Sequence, residues 1–167
     1  MITVMDIETT SNGPDRSPSF YWPKNSIVSV GWDTGGTNGY ACIKHNTKST
    51  NPKAKEKLQY VLDNTTLLIG HNIKFDLGWI QECGFEYEGD IYDTMIYEYC
   101  SAGGKNIKLD LSSCCRRHGL PVKLDEAGQL FTDGYGYEEM PWKIVEEYGR
   151  NDVEITRQLY EAQQDDN

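Results

Sequence analysis

No apolar run in the chain approaches the roughly 18 residues of a membrane-spanning helix. The start, Met1 to Asp6, lacks the basic and apolar regions of a secretory signal. These two absences make a cytoplasmic protein without membrane contact the expectation. Basic residues are also scarce: 16 Lys and Arg stand against 26 Asp and Glu, for a net charge of −10. A nonspecific coat on nucleic acid needs a basic surface and is excluded. An enzyme acting on nucleic acid is not, because bound divalent ions reverse the field inside an acidic site. The five cysteines are odd in number and form no C-x-x-C pair, which argues against a disulfide framework and for reduced thiols. No internal repeat or low-complexity tract is present.

What is present suits one domain, because 167 residues can enclose a single sizeable core and 11% aromatics supply side chains to fill it. Residues 1–8 read as a strand with apolar residues on both faces, hence central in its sheet. Residues 11–25 hold three prolines and read as a loop. Ile27–Asp33 and Tyr40–Ile43 read as a hairpin across a glycine-rich turn. Helices are expected over Pro52–Leu62, over Ile73–Cys83, after the N-cap Asp93, over Leu109–His118 and from Pro141 to Gln163. A short strand covers Leu67–Ile69, and residues 121–140 read as irregular. Strands first, then strand and helices in alternation, give an α/β or α+β class.

Four carboxylates fall where a core should be. Asp6 and Glu8 share a strand face with Ile2 and Val4, at the C-terminal end where α/β proteins place their sites. Chance alone supplies about one Asp-x-Glu pair in so acidic a chain, so position matters here more than spacing. Asp76 falls on the helical stripe of Ile73, Leu77 and Ile80. Asp152 falls on the stripe of Val145, Tyr148, Ile155 and Leu159, one turn after Tyr148. Helical geometry points the nearby Lys74 and Arg150 away from these two. A carboxylate in an apolar stripe is costly unless paired or metal-bound. Converging carboxylates without His or Cys make a hard oxygen site, suited to Mg²⁺ or Mn²⁺ and thus to phosphoryl chemistry.

Asp6-Ile-Glu8-Thr9, Asn72-Ile-Lys-Phe75-Asp76 and Tyr148-Gly-Arg-Asn-Asp152 resemble, in order, the three motifs of the DEDD 3′→5′ exonucleases. Tyr148, four residues before Asp152, is similar to the DEDDy branch, whereas the DEDDh branch would have a His where this chain has Glu147. The stretches Asp93-Thr-Met-Ile and Leu109-Asp-Leu resemble exonuclease domains of family-A DNA polymerases, phage ones especially. The resemblance covers nearly the whole chain and implies a single exonuclease domain over residues 1–167, standing alone. The implied fold is ribonuclease-H-like, a mixed five-stranded sheet flanked by helices. The implied activity is removal of nucleoside 5′-monophosphates from the 3′ end of single-stranded DNA, in proofreading or end trimming during DNA replication. Two divalent metal ions, Mg²⁺ or Mn²⁺, are implied as cofactors. Asp6, Glu8 and Asp152 would bind one, and Asp6 with Asp76 the other. Tyr148 would orient the attacking water, and Thr9, Asn72 and Phe75 would contact the substrate. An exoribonuclease and a noncatalytic polymerase accessory are the alternatives. A standalone acidic exonuclease also implies a partner that delivers the strand, such as a DNA polymerase or a single-strand-binding protein, in the host cytoplasm if the gene is a phage's.

Other signals weigh less. Cys114, Cys115 and His118 share a helical face with Leu111, so packing is the expectation over zinc. His71 could bond the backbone or a substrate. Arg116, Arg117, Lys105 and Lys108 could follow a phosphate backbone, with solvated charge as the default. The aromatics Phe20, Tyr21, Trp22, Tyr135 and Tyr137 could stack on bases or pin their loops to the core.

Overall fold

The computed structural model describes residues 1–122 and 126–165. They form a five-stranded sheet in the order β3-β2-β1-β4-β5, with β1 at Ile2–Thr9, β2 at Ile27–Asp33, β3 at Asn38–Cys42, β4 at Leu67–Gly70 and β5 at Asp90–Asp93. β1 is central, as its two apolar faces predict. It runs antiparallel to β2 and parallel to β4, while β3 pairs antiparallel with β2 and β5 parallel with β4. The sheet is therefore mixed, and the class is α/β.

Helices cover both faces. Met5, Ile7, Val30 and Trp32 pack on one side with Leu58, Val61 and Leu62 of α1 (Ala54–Asp63) and Ile73 and Ile80 of α2 (Ile73–Glu82). On the other side Val4 and Ile69 meet Val153 of α6 (Trp142–Asp165). The helices α3 (Thr94–Ser101), α4 (Leu111–Arg117) and α5 (Glu126–Thr132) pack in turn against α6. Among the described residues no helix is long and apolar enough to cross a membrane. Asp93 caps α3 as its sequence position suggests, its Oδ1 accepting from the backbone N–H groups of Met95 and Ile96.

Three elements depart from the sequence reading. The stretch taken as irregular contains α5, though residues 123–125 lie outside the described ones. α5 buries only Ala127, so it has no stripe to recognise. β5 was not expected as a strand; Asp90 and Ile91 are exposed, and pairing with β4 alone defines it. β3 also begins two residues before the expected Tyr40.

Two irregularities of β1 prepare the site. A bulge lies between Glu8 and Thr9, where register with β2 shifts. On the other edge, β4 pairs only with Ile2, Thr3 and Val4, so β1 runs on past its neighbour. The Ile7 N–H, toward the end of β1, lies near enough to the Asp76 carboxylate at the first turn of α2 to favour its charged form.

Candidate active site

Each acidic side chain is set by a different backbone device. Asp6 and Glu8 stand opposite Gly31 and Ser29 of β2, on the face covered by α6. α6 comes close because Gly149 carries no side chain. A Cβ there would lie 2.3 Å from the Tyr40 hydroxyl oxygen. That hydroxyl donates to the Val145 carbonyl at 3.0 Å and accepts from the Ser29 hydroxyl at 2.8 Å, fixing α6 to the sheet. Gly149 and Val153 thus take the positions flush on the sheet, and Tyr148 and Asp152 lie beside them, half-buried. As expected from helical geometry, Arg150 turns away, to Glu146 at 2.8 Å and over the Tyr40 ring.

Asp6, Glu8 and Asp152 each offer an oxygen within 4.8 Å of the others. Glu8 is 6% exposed, while Asp6 and Asp152 are half-buried. Burial and the Asp152 charge push the Asp6 carboxyl up to about 8, against a hydrogen bond with Glu8. Burial, with the charges of Asp6, Asp152 and Asp76, raises Glu8 well above the usual range. Asp76, buried in α2, is raised by burial and by Asp6, despite the N–H donors of its own backbone and Ile7. Like charges pressed together in a desolvated place are uncomfortable without a cation. The all-oxygen donor set fits a hard divalent ion, and Asp6, Glu8 and Asp152 could hold one.

The remaining sequence candidates are spread around this cluster. Thr9 is buried at the bulge, and Phe75 is half-buried, edge-on to Trp79 in the main core. Asn72 is exposed, in the left-handed conformation (φ 62°) at the start of α2, and its N–H donates to the Asp93 carboxylate at 2.9 Å. His71 bonds the backbone: its Nε2–H donates to the Leu109 carbonyl at 2.7 Å, leaving Nδ1 to accept from the Thr94 hydroxyl at 2.9 Å. Cys114 and Cys115 are core residues. Arg117 is committed to Glu98 and to the Lys108 carbonyl. Phe20 packs on Trp79, whereas Tyr21 and Tyr135 stay exposed.

Sequence reasoning gave no role to Tyr40 and left Tyr137 as a loop aromatic. Both phenols feel the charges of Glu8 and Asp6. A glycine in mid-helix beside Tyr148 was the available signal that something approaches α6 closely.

Residues 6–165, from the first of these carboxylates nearly to the end of α6, match the 3′–5′ exonuclease family. The chain belongs to that family. Its ordered motifs are those of DEDD-type exonucleases, and its sheet and helices are the ribonuclease-H-like fold of such enzymes. No curated protein matches this exonuclease in sequence. Among solved structures it is similar to a nuclease in its apo form, with TM-score 0.68 and 17% identity over 97% of this chain and 70% of that one. It is also similar to Brucella melitensis NrnC bound to pGG, with TM-score 0.65 and 18% identity over 98% of this chain and 72% of that one. The family B DNA polymerase of the archaeon Pyrobaculum calidifontis gives TM-score 0.64 and 16% identity, over 96% of this chain and 24% of the polymerase. At these identities the likeness is one of fold.

Proposed function

We propose that the chain is a single exonuclease domain that removes nucleoside 5′-monophosphates from the 3′ end of single-stranded DNA with two divalent ions, Mg²⁺ or Mn²⁺. The observation that carries this reading is the convergence of Asp6, Glu8 and Asp152 to within 4.8 Å in a chain of the 3′–5′ exonuclease family. Asp6, Glu8 and Asp152 would hold one ion, and Asp76, outside that group of three but near enough to feel the Asp6 charge, would help hold the other. Bound there, the ions supply a water activated for attack on phosphorus and stabilisation of the leaving 3′ oxygen.

The chain's own groups do the rest. Tyr148 is one helical turn before Asp152, and burial with the Asp152 charge raises its phenol, so it stays protonated at neutral pH. Its role is to orient the attacking water by hydrogen bonding rather than to take a proton. Asn72, exposed at the start of α2, is the best placed of the three candidate substrate contacts. Thr9 lies at the bulge that ends β1, and Phe75 immediately precedes Asp76. With a net charge of −10 the chain grips polyanions poorly, which supports delivery of the strand by a polymerase or a single-strand-binding protein.

The test is to incubate the protein with 5′-labelled single-stranded DNA and RNA oligonucleotides in Mg²⁺, Mn²⁺ or EDTA, beside Asp6→Ala. A metal-dependent ladder shortening from the 3′ end of DNA, absent in the variant, is expected. Faster shortening of RNA would make the protein an exoribonuclease. No shortening of either by a folded, metal-loaded protein would leave the noncatalytic accessory.

A further inference from the structure

Outside the acidic cluster, the segment between α5 and α6 is fixed more firmly than a connecting loop requires. Arg16 reaches across from the loop after β1, donating to the Phe131 carbonyl at 3.0 Å and the Tyr135 carbonyl at 3.2 Å. Its guanidinium also lies 4.3 Å from the centre of the Phe131 ring. Asp15 and Arg16 both hold positive φ, 53° and 57°, a strained backbone that the clamp keeps in place. From the other side Asn46 donates its N–H to the Glu138 carbonyl at 3.1 Å, and Met140 is buried.

Between these fixings stands Tyr137. Its ring lies 5.8 Å from Phe131 and 5.9 Å from Tyr148, inclined at 35° and 30°. Arg16, Phe131, Tyr137 and Tyr148 thus form a continuous stack that ends at the carboxylates. The Tyr137 phenol is half-buried and within hydrogen-bonding reach of the Tyr148 hydroxyl. Packing alone accounts for the ring, but a phenylalanine would serve that purpose. What the hydroxyl adds is its approach to that of Tyr148, across rings 5.9 Å apart. A phenol that must present one oxygen to a water gains from a neighbour that fixes its own rotation.

We propose that Tyr137 is a positioning residue for the exonuclease reaction, its hydroxyl holding that of Tyr148 in the orientation that receives the attacking water. This rests on the exonuclease reading of the site. It goes beyond the motifs, because Tyr137 lies in none of them.

The experiment is a double-mutant cycle of wild type, Tyr137→Phe, Tyr148→Phe and the double variant. Single-turnover cleavage of a 5′-labelled oligonucleotide is measured in Mg²⁺, and oligonucleotide affinity in Ca²⁺. Tyr137→Phe keeps the ring, so thermal unfolding is expected to match the wild type. Its cleavage rate should fall about tenfold with affinity within about twofold of wild type. In the Tyr148→Phe background the same change should cost nothing further, because the group being positioned is already gone. An undiminished rate in Tyr137→Phe overturns the proposal. So does a loss of affinity at unchanged rate, which would make Tyr137 a base contact, and so does a cost that multiplies in the double variant. A wild type that shortens no oligonucleotide overturns the exonuclease reading itself, whereas an active enzyme indifferent to Tyr137→Phe overturns this proposal alone.

Discussion

Two regions of the protein bury carboxylates, and they do so in opposite ways. Glu98 of α3 is 5% exposed, yet burial does not win: hydrogen bonds from Gln163, His118 and Arg117 hold its carboxyl below the usual range. The Arg117 guanidinium donates to it at 2.6 and 2.9 Å, with His118 at 2.6 Å and Gln163 at 2.9 Å. Asp6 and Glu8 are answered chiefly by each other and by Asp152, and Asp76 meets the Asp6 charge despite its N–H donors; burial pushes all three carboxyls up. Burial of an acid is therefore not the mark of a site. The sign of what surrounds it is. Glu98 joins α3, α4 and α6 as a structural tie, while the cluster on β1 and α6 sets carboxylates against one another.

Exchanging one acid at each place breaks the comparison most sharply. Asp6→Asn should lower exonuclease turnover about a thousandfold or more, measured on a labelled oligonucleotide, because the loss falls on the charge-stabilising group. In the absence of metal the same variant should unfold at a temperature no lower than the wild type, since it removes repulsion. Glu98→Ala should do the reverse. It leaves Arg117 and His118 facing a void, and should cost about 3 kcal/mol, or roughly 9 °C in unfolding temperature. Activity per folded molecule, assayed well below that transition, should persist.

The dependence on pH should then separate the two regions by sign. A carboxyl raised on folding keeps its proton longer in the native state, so its contribution is present below the ordinary carboxyl range and is lost as pH rises. Without metal, the wild type should lose stability relative to Asp6→Asn between about pH 5 and pH 8, and saturating Mg²⁺ should cancel the loss. Glu98 is lowered on folding, so its contribution is present above the ordinary range and is lost on acidification. Glu98→Gln should therefore flatten the acid limb of stability, below about pH 5.

The smallest expected effect concerns the approach of α6. A Cβ at residue 149 would displace the Tyr40 ring and its hydroxyl from Ser29 and the Val145 carbonyl. Gly149→Ala should cost about 1–3 kcal/mol in denaturant unfolding and lower turnover by moving Tyr148 and Asp152 together.

Much of the acidic cluster was legible in the sequence. Asp6, Glu8, Asp76 and Asp152 interrupt apolar patterns of strand and helix, and such interruptions are local. The central strand and the long final helix were legible for the same reason, since each has a face written in its own residues. Glu98 was not. Its partners Arg117, His118 and Gln163 lie 19, 20 and 65 residues away, and nothing in its own helix marks it as buried. β5 escaped because its definition is the ladder to β4, and α5 because Ala127 is its one buried residue. Tyr137 could be seen as an aromatic on a loop, but the contacts that fix its segment beside Tyr148 come from Arg16 and Asn46, some ninety residues or more earlier in the chain.

The central claim is that the crowded carboxylates are kept for a divalent cation, and calorimetric titration of Mn²⁺ and of Mg²⁺ into wild type, Asp6→Asn and Glu98→Gln addresses it most directly. The account predicts saturable binding with proton release in the wild type and in Glu98→Gln, and its loss in Asp6→Asn. Equal binding by all three proteins, or none by the wild type, would contradict it.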